Sequence, residues 1–289
     1  MLNPTREKIE QFRKQLKNDW TRDETVAAWC KWHKHIAEFT AGATEALLKE
    51  ACLRPGMRVL DLASGVGDPA LHIAQIVGPS GHVTATDLGP GMISLAAELA
   101  AQQDLHNIDF KEAAAESLPF PDASFDAVTC RFGAMFFPDL QRALVECKRV
   151  LRPGGRLSFA VWGRREQPFI STTHDVLAKY VEMPKPDPDL PDVFRFAEHG
   201  KLQAELEAAG FQNVKENLLI IPARWEGSLE LYWQEFSEVS VAARPLLAQL
   251  SPARRGDVHD EVLIGLQKFV QDGHLVLPLE VVFASAIRP

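Results

Sequence analysis

Residues 58–70 read Arg-Val-Leu-Asp-Leu-Ala-Ser-Gly-Val-Gly-Asp-Pro-Ala, and the rest of the chain can be interpreted outward from them. Residues 59–62 favour β structure and predict a short strand that is buried on both faces. Gly65 and Gly67 then let the backbone turn sharply and approach a ligand, because glycine has no Cβ atom. Residues 70–77 carry apolar side chains at helical spacing. A strand, a glycine-rich loop and a helix in this order are typical of proteins that bind a nucleotide-like ligand.

The glycine-rich loop by itself does not identify the ligand. Gly65-x-Gly67-x-x-Ala70 satisfies the dinucleotide pattern, and Asp87 follows Gly67 by 20 residues, where a ribose-binding carboxylate is expected. Asp68 is expected at the N-terminus of the helix, where it would repel the pyrophosphate of NAD. Asp61 adds a second carboxylate directly before the loop. A cation without phosphate tolerates both carboxylates, so we favour S-adenosyl-L-methionine over NAD as the ligand.

Composition and charge narrow the class of protein. The 289 residues are 46% hydrophobic and 24% charged, as in ordinary globular domains. A net charge of −8 argues against nucleic-acid binding, which needs a basic surface. The four cysteines lack C-x-x-C spacing, so we expect no metal site. Because there is no apolar run of about 18 residues and no signal peptide, we expect no membrane span and a cytoplasmic location.

Strand and helix patterns alternate through the first part of the chain. Five short β-forming runs are separated by turns and by segments with helical periodicity. These predicted strands are residues 59–62, 82–87, 108–112, 125–130 and 156–162. Alternation of this kind predicts an α/β fold with a doubly wound parallel sheet.

Two further strands are predicted later in the chain, at residues 214–221 and 276–286. The helical segments around them, and those at the N-terminus, do not continue the alternation. We therefore divide the chain into an N-terminal helical lid (1–44), a cofactor-binding core (45–163), an insertion (164–197), a continuation of the core (198–222), a helical insertion over the substrate pocket (223–273) and a final core strand (274–289).

Further motifs accompany the glycine loop. The full set is Val59-Leu60-Asp61-Leu62-Ala63-Ser64-Gly65-Val66-Gly67, Thr86-Asp87, Ala115-Glu116-x-Leu118-Pro119-Phe120, Phe125-Asp126-x-Val128 and Arg149-Val150-Leu151-Arg152-Pro153-Gly154-Gly155. Together they resemble the class I S-adenosylmethionine-dependent methyltransferases, and most of all the ubiquinone/menaquinone-biosynthesis C-methyltransferase family and its small-molecule relatives. The resemblance covers about residues 44–162. We accordingly predict a doubly wound, mostly parallel seven-stranded Rossmann-like sheet with a last antiparallel strand and a helical lid.

The resemblance implies a set of residues that bind S-adenosyl-L-methionine, and Trp29 is added to it from the predicted lid. The set is Trp29, Asp61, Ala63, Ser64, Gly65, Gly67, Asp87, Leu88, Met92, Ala115, Glu116, Arg131 and Phe132. Asp61 would bind the methionine ammonium group, and Asp87 would accept hydrogen bonds from both ribose hydroxyls. Leu88 and Met92 would lie against the adenine.

The remaining implied roles concern the adenine edge and the reacting methyl group. Ala115 and Glu116 would lie at the adenine edge. Arg131 and Phe132, directly after the fourth strand, would lie near the transferred methyl. The sequence departs from the family pattern at residues 113–114, where two alanines replace Gly-Asp, so the acidic contact to the adenine amine is either missing or moved to another residue.

The second N-terminal helix, predicted at residues 23–40, is rich in aromatic and imidazole groups. An oxygen or carbon nucleophile must lose a proton, and histidine is the usual base near neutral pH. His33 and His35 in this helix, and His174 in the first insertion, are the candidate catalytic bases. A structural or surface histidine is the alternative for each. The helix itself either closes over the ligand or packs as an ordinary core-facing helix.

The expected reaction is methyl transfer from S-adenosyl-L-methionine to a small, apolar or aromatic acceptor. The methyl group would pass to carbon or oxygen by in-line displacement. An NAD-dependent oxidoreductase and a non-catalytic S-adenosylmethionine-binding regulator are the alternatives. The expected partner is a small-molecule substrate rather than nucleic acid, and a homodimer is left open.

Overall fold

One central β-sheet runs through the computed structural model, which describes residues 4–289. Its strands are β1 (Arg58–Leu62), β2 (His82–Asp87), β3 (Ile108–Glu112), β4 (Phe125–Arg131), β5 (Leu151–Trp162), β6 (Gln212–Trp225), β7 (Val270–Gln271) and β8 (His274–Ile287). Their order is β3-β2-β1-β4-β5-β8-β6, with β7 paired to β8. Neighbours among β1–β5 pair in parallel, whereas β8 runs antiparallel to β5 and β6. The predicted doubly wound α/β sheet with an antiparallel last strand is confirmed.

Eleven α-helices accompany the sheet in the part of the chain that the structure describes. They are α1 (Pro4–Thr21), α2 (Asp23–Phe39), α3 (Ala41–Ala51), α4 (Ala70–Val77), α5 (Pro90–Gln102), α6 (Leu140–Val150), α7 (Pro168–Leu177), α8 (Lys201–Ala208), α9 (Leu229–Val239), α10 (Ala243–Ala248) and α11 (Pro252–Gln267). A short 3-10 helix, Ala134–Phe136, follows β4. Within residues 4–289, no helix has the length and apolar character needed to cross a membrane.

Three strands differ from the sequence prediction. Strand β5 begins at Leu151 instead of residue 156. Strand β6 is longer than predicted and passes through Pro222. The proline is tolerated because β6 lies at the edge of the sheet, where a strand needs hydrogen-bond partners on one side only. Strand β7 has two residues, which are too few to show a period, so the described sheet has eight strands instead of the predicted seven.

Strand β1 is buried on both faces, as its sequence predicts. Val59 packs in a cluster with Ile73 of α4, and Leu60 packs in a second cluster with Leu144 of α6. The strand order changes direction between β1 and β4, which are parallel neighbours. In sheets of this kind, ligands bind at the carboxyl ends of the strands where the order changes direction. We call this place the switch point.

Helices α1 and α2 pack beside the glycine-rich loop. Trp20 of α1 and Trp29 of α2 contact a small cluster that contains Val66 of the loop and Met92 of α5. The ring of Trp20 lies 5.7 Å from that of Trp29 and 5.8 Å from that of Phe136, measured between centroids. The division of the chain into lid, core and insertions stays a prediction.

Ion pairs between exposed or half-exposed side chains also attach α1 to the rest of the chain. Lys8 Nζ lies 3.0 Å from a carboxylate oxygen of Asp187 and 2.9 Å from one of Asp189. Lys17 Nζ lies 2.8 Å from a carboxylate oxygen of Glu112. Pairs of this kind contribute only about 0–1 kcal/mol each. Charge therefore contributes little to holding α1 in place.

The loops that follow β1 and β4 come into close contact at Gly133. A Cβ atom at this position would lie 2.5 Å from the Cβ of Ala63 and 2.7 Å from the Sγ of Cys130. Both neighbours are short side chains that cannot swing away, so any larger residue would force the two loops apart.

We expect Gly133→Ala to lower the free energy of unfolding by about 1–3 kcal/mol, which is the usual cost of overpacking. Chemical denaturation measures this difference. Gly256→Ala in α11 is the matched control, because its Cβ would meet nothing within 4 Å and alanine favours a helix. Equal stability of Gly133→Ala and the wild type would contradict the close contact.

Candidate active site

The loops at the switch point hold a backbone conformation that residues other than glycine rarely adopt. Ala63 after β1 has a φ of 51°, and Phe132 after β4 has a φ of 56°. Such a conformation costs about 1–3 kcal/mol for each residue, and strain of this kind concentrates at ligand sites. The backbone strain and the change in strand order therefore both indicate a ligand site at the switch point.

Asp61 is a buried carboxylate, and only one of its two oxygens has a hydrogen-bond partner among the described residues. Its side chain is 0% exposed, and Oδ1 accepts a hydrogen bond of 2.6 Å from Thr129 Oγ1. Oδ2 is buried and has no partner among the described residues. Burial raises the pKa of Asp61 to about 7, although the Thr129 hydrogen bond and the charge of Arg131 oppose this shift. A cation placed against Oδ2 would favour the ionised form.

Asp87 is oriented by the backbone on both sides of it. Its carboxylate accepts hydrogen bonds of 2.9 Å from the N–H groups of Gly65 and Gly89. Burial raises its pKa, and these N–H groups oppose the shift. Ser64 lies beside it, with Oγ buried and unpartnered among the described residues. The carboxyl end of β2 thus holds a fixed carboxylate facing the loop.

Asp68 and Arg131 form an ion pair beneath the glycine-rich loop. Arg131 donates hydrogen bonds to Thr40 Oγ1 at 2.5 Å and to Thr44 Oγ1 at 2.8 Å, and its Nη2 lies 2.9 Å from Asp68 Oδ2. Burial opposes ionisation of Asp68, but Arg131 and His72 outweigh it and lower the pKa of Asp68. The pair joins α2 and α3 to the loop.

The sequence analysis expected Asp68 at the N-terminus of the helix, and the structure places it two residues before α4, paired with Arg131. Helix α4 begins at Ala70, and no side chain caps it. Because Arg131 neutralises Asp68, this carboxylate does not repel a phosphate group. The electrostatic preference of the site depends on Asp61 and Asp87 instead.

The predicted adenine-edge residues occupy different environments. Ala115 is buried in the core beneath β4 and α6. The carboxylate of Glu116 accepts a hydrogen bond of 3.3 Å from the N–H of Asp139 and lies 3.8 Å from Arg13 Nη2. The carboxylate of Glu116 therefore already accepts a hydrogen bond at the start of α6. An adenine contact by Glu116 stays a prediction.

Trp29 lies over the glycine-rich loop, as the placement of α2 requires. Its indole Nε1 is buried and has no hydrogen-bond partner among the described residues. Trp20, which the sequence did not single out, joins it in the same cluster. Met92 is 1% exposed in this cluster, whereas Leu88 at the end of β2 is half-buried.

The three candidate histidines have separate surroundings. His33 directs Nδ1 at the carbonyl of Cys30 in its own helix, at 2.7 Å. His174 directs Nδ1 at the carbonyl of Ile170, at 3.1 Å, and burial lowers its pKa. His35 packs its ring 5.2 Å from that of Trp225, and its Nδ1 is buried without a partner among the described residues.

Sequence reasoning missed the threonines of this site and one tyrosine. Thr129 pairs with Asp61 across β4 and β1, and only the strand register reveals that contact. Thr40 and Thr44 contact Arg131 through a helix–strand packing that no local pattern encodes. Tyr232 of α9 is 1% exposed with an unpartnered hydroxyl among the described residues. Residues 4–289 contain no cluster of His, Cys, Asp or Glu suited to a metal ion.

A protein-family model matches more than half of the chain. Residues 36–187 match the ubiE/COQ5 methyltransferase family. The chain belongs to this family. A relative from Brucella anthropi, named ubiquinone/menaquinone biosynthesis C-methyltransferase UbiE, is 36% identical over 172 residues, which cover 56% of this chain and 65% of the relative. The chain therefore matches less than two thirds of that relative's length.

Two solved structures have the same fold. YcgJ from Bacillus subtilis gives a TM-score of 0.56 at 22% identity, over 86% of this chain and 98% of YcgJ. Phosphoethanolamine N-methyltransferase 2 from Haemonchus contortus, in complex with S-adenosyl-L-methionine, gives 0.58 at 17% identity, over 96% of this chain and 60% of that protein. At these identities the likeness establishes the fold alone. The resemblance predicted from the motifs is thus confirmed for family and fold.

Asp61→Asn should change how the stability of the ligand-free protein depends on pH. The pKa of Asp61 is about 7 in the folded state, above its ordinary value of 3.8, so the folded state binds the proton more tightly. The free energy of unfolding therefore falls as pH rises from about 4 to 7. Asparagine cannot ionise, so the variant should unfold at a higher temperature than the wild type at pH 8.

Thermal unfolding at pH 5 and pH 8 measures this effect. Asp109→Asn is the matched control, because the side chain of Asp109 is 77% exposed and its partner His82 forms only a surface pair. A pH dependence identical in the wild type and Asp61→Asn would contradict the burial of this carboxylate.

Proposed function

We propose that this chain is an S-adenosyl-L-methionine-dependent methyltransferase that acts on a small molecule. The observation that carries the proposal is Oδ2 of Asp61, which is buried at the switch point without a partner among the described residues. A buried carboxylate is costly unless a cation pairs with it, and the methionine ammonium group would be that cation. Membership of the ubiE/COQ5 methyltransferase family supports the same ligand.

Other polar groups around the loop fit the same donor. Ser64 Oγ and Trp29 Nε1 are buried without partners among the described residues. Trp29 can only donate a hydrogen bond, so we assign it to the methionine carboxylate. Asp87, held by Gly65 and Gly89, would accept the ribose hydroxyls.

The chain's own contribution to the reaction is alignment and exclusion of water. The bound donor supplies a methyl group that its sulfonium already activates, so no protein nucleophile is needed. Phe132 is held by a hydrogen bond of 2.7 Å from its N–H to the carbonyl of Ala160, and its ring stacks on Trp162. This fixed ring would bound the methyl side of the site. Trp20 and Trp29 would cover the loop against water.

We propose further that the acceptor is apolar or aromatic and is methylated at carbon or oxygen. Beyond Phe132 the site is walled by the rings of Trp162, Phe169 and Phe39. Among the three candidate histidines, His35 keeps a buried nitrogen without a partner, and we assign it to the acceptor. The two alternatives, an NAD-dependent oxidoreductase and a non-catalytic binder, have no specific observation in their favour.

Titration calorimetry is expected to detect S-adenosyl-L-methionine and S-adenosylhomocysteine, and not NAD. Binding of NAD without a response to either adenosyl compound would contradict the proposal. An assay for S-adenosylhomocysteine formed from S-adenosyl-L-methionine, in the presence of hydroxylated aromatic compounds, then distinguishes an enzyme from a non-catalytic binder.

Asp87→Ala should weaken donor binding by about 2–3 kcal/mol, roughly 30- to 150-fold, because a charged acceptor of two hydroxyl groups is lost. Asp109→Ala on β3 is the control, since its carboxylate is exposed and should leave the dissociation constant unchanged. A folded Asp87→Ala variant with wild-type affinity would refute the ribose assignment.

A further inference from the structure

A continuous series of ring contacts leads from the switch point into the helical layer. Phe132 and Trp162 are stacked with centroids 3.8 Å apart, and Trp162 lies 5.1 Å from Phe169. Phe169 lies 5.7 Å from Phe39, which in turn lies 6.1 Å from Tyr232. The rings come from the loop after β4 and from β5, α7, α2 and α9, so five separate segments contribute to one aromatic series.

Two buried polar atoms at the end of this aromatic series lack partners among the described residues. They are the hydroxyl of Tyr232 and Nδ1 of His35. Both rings contact Trp225, at 5.5 Å and 5.2 Å between centroids. Because buried polar groups are almost always hydrogen-bonded, two such atoms beside the same indole have hydrogen-bonding capacity left for a bound molecule.

The charges near Tyr232 restrict the chemistry of that ligand. Helix α9 carries Glu230, Glu235 and Glu238 and no basic residue. Glu238 binds Lys31 and the indole of Trp32, whereas Glu235 is half-buried. Burial and the charge of Glu238 raise the pKa of Glu235 to about 8. Helix α9 offers no basic group to pair with an anion, and burying an unpaired charge is costly, so an anionic ligand is disfavoured.

The residues at the end of the aromatic series lie outside the part of the chain that matches the family. The matched region covers residues 36–187, whereas His35 precedes it and Trp225 and Tyr232 follow it. The end of the aromatic series is therefore formed by segments outside the matched region. It can differ from the acceptor site of the relatives even where the donor loop is shared.

We propose that Tyr232 and His35 determine which acceptor binds, by hydrogen bonding to a polar group at the end of the acceptor away from the methylated atom. The acceptor is then a molecule without a negative charge, whose aromatic ring packs against Phe39 and Trp225 and whose far end carries a hydroxyl, carbonyl or ring nitrogen. This inference rests on the proposed methyl transfer and deepens it.

The experiment compares two probes that differ only at the far end, 4,4′-dihydroxybiphenyl and 4-hydroxybiphenyl, with S-adenosylhomocysteine bound to the full chain. Calorimetry should give about tenfold tighter binding of the dihydroxy compound by the wild type, the effect of one hydrogen bond to a buried partner. Tyr232→Phe keeps the ring and should reduce this ratio to less than twofold. His35→Phe should reduce it as well.

The matched control is Tyr180→Phe, because Tyr180 is the other tyrosine of the chain and its hydroxyl binds Glu261. This variant should keep the tenfold ratio.

Thermal unfolding adds a readout that is independent of the probes. Since the Tyr232 hydroxyl has no partner among the described residues, Tyr232→Phe should unfold at the wild-type temperature or above it.

Several results would overturn the inference. A clear fall in the unfolding temperature of Tyr232→Phe would mean that the hydroxyl has a structural partner. A tenfold ratio retained in Tyr232→Phe, absence of any probe binding by the wild type, or tighter binding of 4′-hydroxybiphenyl-4-carboxylate would each reject it. A wild type that fails to bind S-adenosylhomocysteine would instead contradict the proposed function, and that titration is run first.

Discussion

The burial of Asp61 is the constraint on which the rest of the site depends. Its carboxyl group is withdrawn from water at the end of β1, and the protein supplies one strong hydrogen bond from Thr129 and the nearby charge of Arg131. The fold must be stable enough to keep that group buried while one oxygen has no hydrogen-bond partner among the described residues. Sites that bind ligands commonly carry such a local cost, because the same arrangement that destabilises the empty protein favours the complex.

Local patterns predicted the elements of this fold, but not the contacts across it. The strand at 59–62, the glycine turn and the following helix depend on neighbouring residues, and the structure confirms them. Asp68 was misinterpreted because its partner Arg131 lies on another strand, at a distance in sequence that no periodicity spans. Thr129 was missed for the same reason, since its role follows from the register between β1 and β4. The two residues of β7 were too few to predict.

The two halves of the site differ in how they are built. The donor side is formed by successive loops of one parallel sheet, so its geometry follows from the fold that the family shares. The proposed acceptor side is assembled from α2, α7, α9 and β6, which reach it from distant parts of the chain. Its aromatic residues are indistinguishable in sequence from ordinary core residues. Only the unpartnered atoms of His35 and Tyr232 separate them from a simple apolar core.

The attachment of α1 has a consequence for its response to salt. Lys8 and Lys17 pair with carboxylates on the surface, and a rise in ionic strength weakens such exposed pairs. The aromatic contacts of Trp20 do not weaken with salt in this way. Since the ion pairs contribute little, α1 should stay packed against the glycine-rich loop as ionic strength rises, and access to that loop should depend only weakly on salt.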